Sequence, residues 1–104
     1  MPVTTIEGHE LSVDQEGFLT EYSEWDPDIA RVLAAQIGIE LTQDHWEAIQ
    51  FMRQDYADLG ETPTIRRVSV AKNIPIKHLF ELFPGKPAKK MAYIAGLPKP
   101  RGCV

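Results

Sequence analysis

Cysteine is almost missing from this chain: Cys103 is the only one in 104 residues, and Val104 alone follows it. A single thiol excludes an intramolecular disulfide and any multi-cysteine metal site within one chain. Long hydrophobic runs are also missing. No stretch approaches the roughly 18 apolar residues that a membrane-spanning helix needs, and the acidic N-terminus lacks the pattern of a signal peptide. The expectation is a cytoplasmic protein without membrane insertion, in which a reducing environment keeps Cys103 as a thiol. Glycine-rich phosphate loops and a Gly-x-Ser-x-Gly elbow are absent too, so no nucleotide cofactor or serine-hydrolase chemistry is expected. His9, His45 and His78 stand apart from one another with no i, i+4 ligand partner, and they read as surface or capping residues rather than a metal set.

What is present suits one globular domain. Hydrophobic residues make up 43% and charged residues 25%, enough for a modest core with a solvated surface. Cations are scarce in the first part of the chain and anions in the second. Residues 1–61 carry 14 Asp/Glu against Arg31 and Arg53, whereas residues 62–104 carry nine Lys/Arg against Glu81. The net charge of −4 hides this segregation, which bears on partners and encounter rates rather than on fold.

Short strands are expected at Val3–Ile6 and Leu11–Val13 around a turn at residues 7–10, with a third short piece near Gly17 to Leu19. Helical spacing takes over after that. Asp26-Pro27 caps and opens a helix with Ile29, Val32, Leu33 and Ile37 on one stripe. Thr42 caps a longer one, with Trp46, Ile49, Phe51, Met52 and Tyr56 inward, that ends near Gly60. Thr62-Pro63 opens a third, apolar at Ile65, Val68 and Val70, which Asn73 closes in a left-handed turn. Pro75 starts a fourth segment through Phe83, and Pro87 a fifth that stops at Gly96. Asp26/Asp28 and Asp55/Asp58 read as helix-terminal or solvated acids. The fold class is mainly α (α+β): a compact bundle of about five helices with a small N-terminal β-hairpin and a flexible C-terminal arm. Residues 1–96 form the body, and residues 97–104 form a mobile arm that carries the thiol.

Leu97-Pro98-Lys99-Pro100-Arg101-Gly102-Cys103-Val104 can neither finish a helix nor sit inside a sheet, because its two prolines remove donors and fix φ. A short, stiff arm with a sulfur at its tip is the result, and stiffness lowers the ordering cost of reaching into another protein's site. Lys99 and Arg101 favour the thiolate, whereas a terminal carboxylate on Val104 opposes it. A lone thiol holds a persulfide, forms a mixed disulfide or is oxidised. Those options describe a carrier rather than a self-contained oxidoreductase. The pair of helices on either side of Asn73 offers a different reading, a helix-turn-helix in which Arg66, Arg67 and Lys77 would meet nucleic acid. Against it, the second helix is mostly apolar.

The chain resembles the DsrC/TusE family of small sulfur-trafficking proteins. The residues that carry the likeness are Glu16-Gly17-Phe18-Leu19, Trp25, Leu41–Glu47, Phe51-Met52-Arg53 with Tyr56, Pro63 with Arg66, Leu79 with Leu82-Phe83-Pro84, Pro87-Ala88-Lys89, Ile94–Pro100 and Gly102-Cys103-Val104. The resemblance implies a helical fold with an N-terminal hairpin and a mobile arm, with Cys103 as the sulfur-carrying residue. Lys99, Arg101, Gly102, Lys89 and Lys90 are the residues expected to meet partners. Those partners would be a sulfur donor like TusBCD or DsrEFH, and an acceptor that is a tRNA thiolase or a sulfite reductase. No cofactor is implied. Two departures from the pattern stand out. Relatives that serve dissimilatory sulfite reductase have a second cysteine eleven positions before the last, where this chain has Ala92, so the likeness points to the single-cysteine, TusE-like or regulatory, branch, the latter an accessory subunit associated with dissimilatory sulfite reductase. Residues 70–75 and 83–87 also depart from the family's usual spacing.

Overall fold

The computed structural model describes residues 3–6 and 8–100. Strands β1 (Val3–Ile6) and β2 (His9–Ser12) pair antiparallel, in a register that sets Val3 opposite Ser12 and Ile6 opposite His9. The connection is tighter than the four-residue turn expected from the sequence. Gly8, at φ +84°, adopts the left-handed backbone that a short hairpin requires, so the second strand begins at His9 rather than Leu11. Val13 bridges to Leu19, which realises the third short piece. Leu11, Val13 and Leu19 then bury themselves against Ile29 and Leu33 of the first helix.

Five helices follow: α1 (Pro27–Gln36), α2 (Gln43–Leu59), α3 (Ile65–Lys72), α4 (Ile76–Leu82) and α5 (Pro87–Ala95). Their ends follow side-chain chemistry. Asp26 accepts from the Ile29 amide at 2.8 Å ahead of Pro27. Thr42 and His45 form a reciprocal cap in which the His45 Nδ1 accepts from the Thr42 amide at 3.0 Å. The same ring donates through Nε2 to the Leu82 carbonyl at 2.7 Å, so a buried capping histidine also ties α2 to the end of α4. α3 starts two residues later than Thr62-Pro63 suggests, because the Thr64 hydroxyl caps the Arg67 amide. Asn73 closes α3 with φ 55°.

α5 packs against α1, α2 and α4 and is the centre of the molecule. Ala48, Ile49, Met52, Val68, Leu79, Phe83, Met91 and Ile94 are fully buried around it. The inward and outward faces differ in detail from the sequence pattern. Val70 is 76% exposed, and Ile76 and Phe80 also reach solvent, so α3 and α4 turn part of their apolar surface outward. Asp55 is not on a solvated face. It is buried, and it accepts both Nε (2.8 Å) and Nη2 (2.6 Å) of Arg67, joining α2 to α3.

His78 lies on α4 and joins it to the start of α2. Its Nε2 is 2.9 Å from Asp44, and its Nδ1 is 3.2 Å from Glu81. Hydrogen bonding to Asp44, then to Glu81, raises its pKa above the ordinary 6.5. A raised native pKa stabilises the fold fully below the unfolded value, and that contribution disappears as pH rises through the native one. An NMR titration of the His78 ring should therefore give a midpoint above 6.5, and Asp44→Asn should bring it down. A wild-type midpoint at or below 6.5 would show that the tie between the two helices is not made.

Candidate functional site

The chain leaves α5 at Gly96, and that exit is built from several elements. Gly96 takes φ +70°, and a side chain there would collide with Trp25, since an added Cβ lies 2.5 Å from Cδ1 of the indole. Leu97 then turns back into the core with no exposed surface, its amide donating to the Ala92 carbonyl at 3.0 Å. The last carbonyls of a helix have no intrahelical donor. Here the Trp25 Nε1 donates to Ile94 O at 2.8 Å and the Arg53 Nη1 donates to Ala95 O at 2.8 Å. The second fork of Arg53 donates to Tyr22 O at 3.0 Å. Its guanidinium lies over the rings of Tyr22 and Trp25, 3.9 and 4.1 Å from their centroids. Burial pulls the pKa of Arg53 below its usual value and Tyr22 opposes that shift, but the group stays cationic. Tyr22 in turn stacks on Tyr56 and donates its hydroxyl to Arg53 O.

Beyond Leu97, the Pro98 carbonyl accepts from the Thr62 hydroxyl at 2.8 Å, the Lys99 ammonium lies 3.4 Å from Glu16, and Pro100 is buried. Pro98 and Lys99 form one wall of a groove of about 240 Å³ whose other walls include Tyr56, Thr62 and Thr64. Lys89 and Lys90, with Glu16, Phe18, Ile37 and Tyr93, line a second hollow of about 310 Å³. Lys89, Lys90 and Lys99 thus gather around Glu16, while Arg101, Gly102 and Cys103 lie outside the described residues. Among the described residues, no three His, Cys, Asp or Glu converge where a metal ion could sit.

Arg66, Arg67 and Lys77 do not act as one set. Arg67 is held by Asp55, which raises its pKa through hydrogen bonding and charge. Arg66 and Lys77 are exposed on α3 and α4. Two residues of the exit, Arg53 and Trp25, were not read from the sequence as part of any site. One signal was available: Arg53 is one of only two cations among the first 61 residues.

A family model described as "DsrC like protein" matches residues 5–104. The chain belongs to the DsrC-like family. The match runs through Gly96, the two prolines and Cys103, so it spans the tail as well as the helical body. Sulfurtransferase TusE of Salmonella paratyphi A is 40% identical over 106 residues, covering 95% of this chain and 97% of that relative. Among solved structures, dissimilatory sulfite reductase I (DsrI) superposes with a TM-score of 0.86 at 35% identity, over 99% of this chain and 100% of that one. DsrC of Allochromatium vinosum superposes at 0.83 with 38% identity, over 98% and 97%. This DsrC-like chain therefore shares with these structures the arrangement of its five helices. No helix among its described residues is long and apolar enough to cross a membrane.

Proposed function

We propose that this protein is a sulfur-relay carrier in which Cys103 accepts a sulfane sulfur as a persulfide and passes it to a partner enzyme. The carrying observation is that the only thiol of the chain falls within a match to the DsrC-like family that runs from residue 5 to residue 104. In the loading step the Cys103 thiolate attacks the outer sulfur of a donor persulfide. A new S–S bond forms, the donor's S–S bond breaks, and the donor leaves as a thiolate, with no net oxidation. Delivery repeats the exchange with the acceptor as nucleophile. One thiol suffices for both steps.

The body supports this chemistry by holding the start of the arm. Pro98 and Lys99 are seated by Thr62 and Glu16, and on this reading the 97–104 arm serves a donor of the TusBCD or DsrEFH type and an acceptor. Lys89, Lys90 and Lys99 offer charge to the acidic rim of such a partner, and Arg101 adds to it. The 40% identity to a sulfurtransferase TusE favours transfer of the sulfur to an acceptor, for which the family resemblance implies a tRNA thiolase. A second reading, an accessory subunit of a dissimilatory sulfite reductase, draws on the 35% identity to the oxidised gamma-subunit of that enzyme from Archaeoglobus fulgidus. Delivery tests the proposal: protein loaded with inorganic polysulfide and then treated with cyanide should release one thiocyanate per chain and regain a free thiol. Absence of thiocyanate from loaded protein would overturn it. Co-purification with a sirohaem enzyme rather than with a tRNA thiolase would select the second reading.

A further inference from the structure

We propose that Arg53 and Trp25 are positioning residues that aim the arm, by gripping the last two carbonyls of α5 and so setting the direction in which the chain leaves at Gly96. The inference deepens the sulfur-carrier reading and rests on it for its biological meaning. Its structural content is independent of that chemistry.

Three features converge on one peptide turn. Trp25 donates to Ile94 O, Arg53 donates to Ala95 O, and the indole face fills the space that a Cβ on Gly96 would need. None of these donors is a neighbour in sequence: Trp25 follows the N-terminal strands and Arg53 sits in the middle of α2, 42 residues from Ala95. The guanidinium lies over the rings of Tyr22 and Trp25 and donates to two carbonyls, a planar, forked arrangement that lysine does not reproduce. By contrast, the other polar tethers of residues 97–100 are slight. One is a single hydroxyl bond from Thr62, and the other is an exposed 3.4 Å ion pair of Lys99 with Glu16, a kind of contact that holds little against solvent.

Direction matters because of leverage. Cys103 lies seven positions beyond Gly96, within at most about 25 Å of it along the chain, so the geometry at this root bounds where the sulfur can be presented. Transfer requires reacting atoms within about 3–3.5 Å of each other in line. The acidic half of the molecule thus devotes one of its two cations to the place where an angular error would be magnified most.

The test uses the full chain, with nitroxides on Cys103 and on Gln50→Cys, an exposed position of α2. Double electron–electron resonance should show the distance distribution of this parent moving or widening by several ångströms in Arg53→Gln, and by less in Arg53→Lys. Unlabelled single-cysteine versions, loaded with polysulfide, should release their sulfur to cyanide at the wild-type rate, because a small acceptor does not need aiming. Superimposable distributions in a folded Arg53→Gln protein would overturn the proposal. So would cyanide release that slows in step with the substitution, which would place Arg53 in the chemistry of the thiol. Should Arg53→Gln fail to fold, Trp25→Phe keeps an aromatic side chain, loses the donor to Ile94 O, and carries the same test. Failure of Cys103 to load would remove the sulfur-carrier reading while leaving the distance measurement intact.

Discussion

Gly96→Ala is expected to lower folding stability by about 2–5 kcal/mol, combining the cost of a left-handed non-glycine residue with forced overpacking. The backbone there has φ +70°, and the new methyl would sit 2.5 Å from Trp25 Cδ1, 2.9 Å from Cγ and 3.0 Å from Leu19 Cδ1. Those neighbours cannot easily give way. The indole is held by its bond to Ile94 O and by the guanidinium on its face, and Leu19 belongs to the buried cluster beneath the hairpin. A single-domain protein commonly has only about 5–15 kcal/mol in total, so the loss would be a large share of it. Urea unfolding followed by tryptophan fluorescence checks the value. A Gly38→Ala control isolates the backbone part, since Gly38 also has positive φ (73°) but an added Cβ there meets nothing within 4 Å. Equal losses at the two positions would show that Trp25 does not constrain the exit.

Ala92→Cys should allow an internal disulfide with Cys103 under mild oxidant, and closing a loop of this length is worth about 3 kcal/mol through the unfolded chain. Ala92 is wholly buried on α5, and its carbonyl receives the amide of Leu97, which closes the helix at Gly96, so a disulfide requires the arm to fold back over this helix. Closure needs the two Cα atoms within about 7 Å. A non-reducing gel with thiol counting should show closed monomer in the variant, while wild type yields only mixed disulfides or dimers through Cys103. Urea melts with and without reductant then read the stabilisation. If Ala92→Cys gives dimers and never a closed monomer, the arm does not return over α5 as inferred.

Much of the fold was legible because helix punctuation is local. Asp26-Pro27, Thr42, Gly60, Asn73 and Gly96 each solve a backbone problem within one turn, and each marks an end in the structure. Where the reading failed, the cause was tertiary. Asp55 continues the inward spacing of His45, Ala48, Ile49 and Met52, but its charge argued for solvent until Arg67 of α3 was found opposite it. The helix after Asn73 is mostly apolar, yet the short α4 turns only Leu79 fully inward and leaves Ile76 and Phe80 exposed. The candidate site divides in the same way. The lone thiol and its prolines are visible in sequence. The grip on the root of the arm is not, because Trp25 and Arg53 meet Ile94 and Ala95 only after α2 and α5 have packed together.

Cys103 as the sulfur-bearing residue is the central claim, and intact mass spectrometry after incubation with a persulfide donor tests it most directly. Wild type should gain the mass of one sulfur atom, lost again on reduction, and Cys103→Ser should gain nothing. Equal sulfur uptake by the two proteins would contradict it.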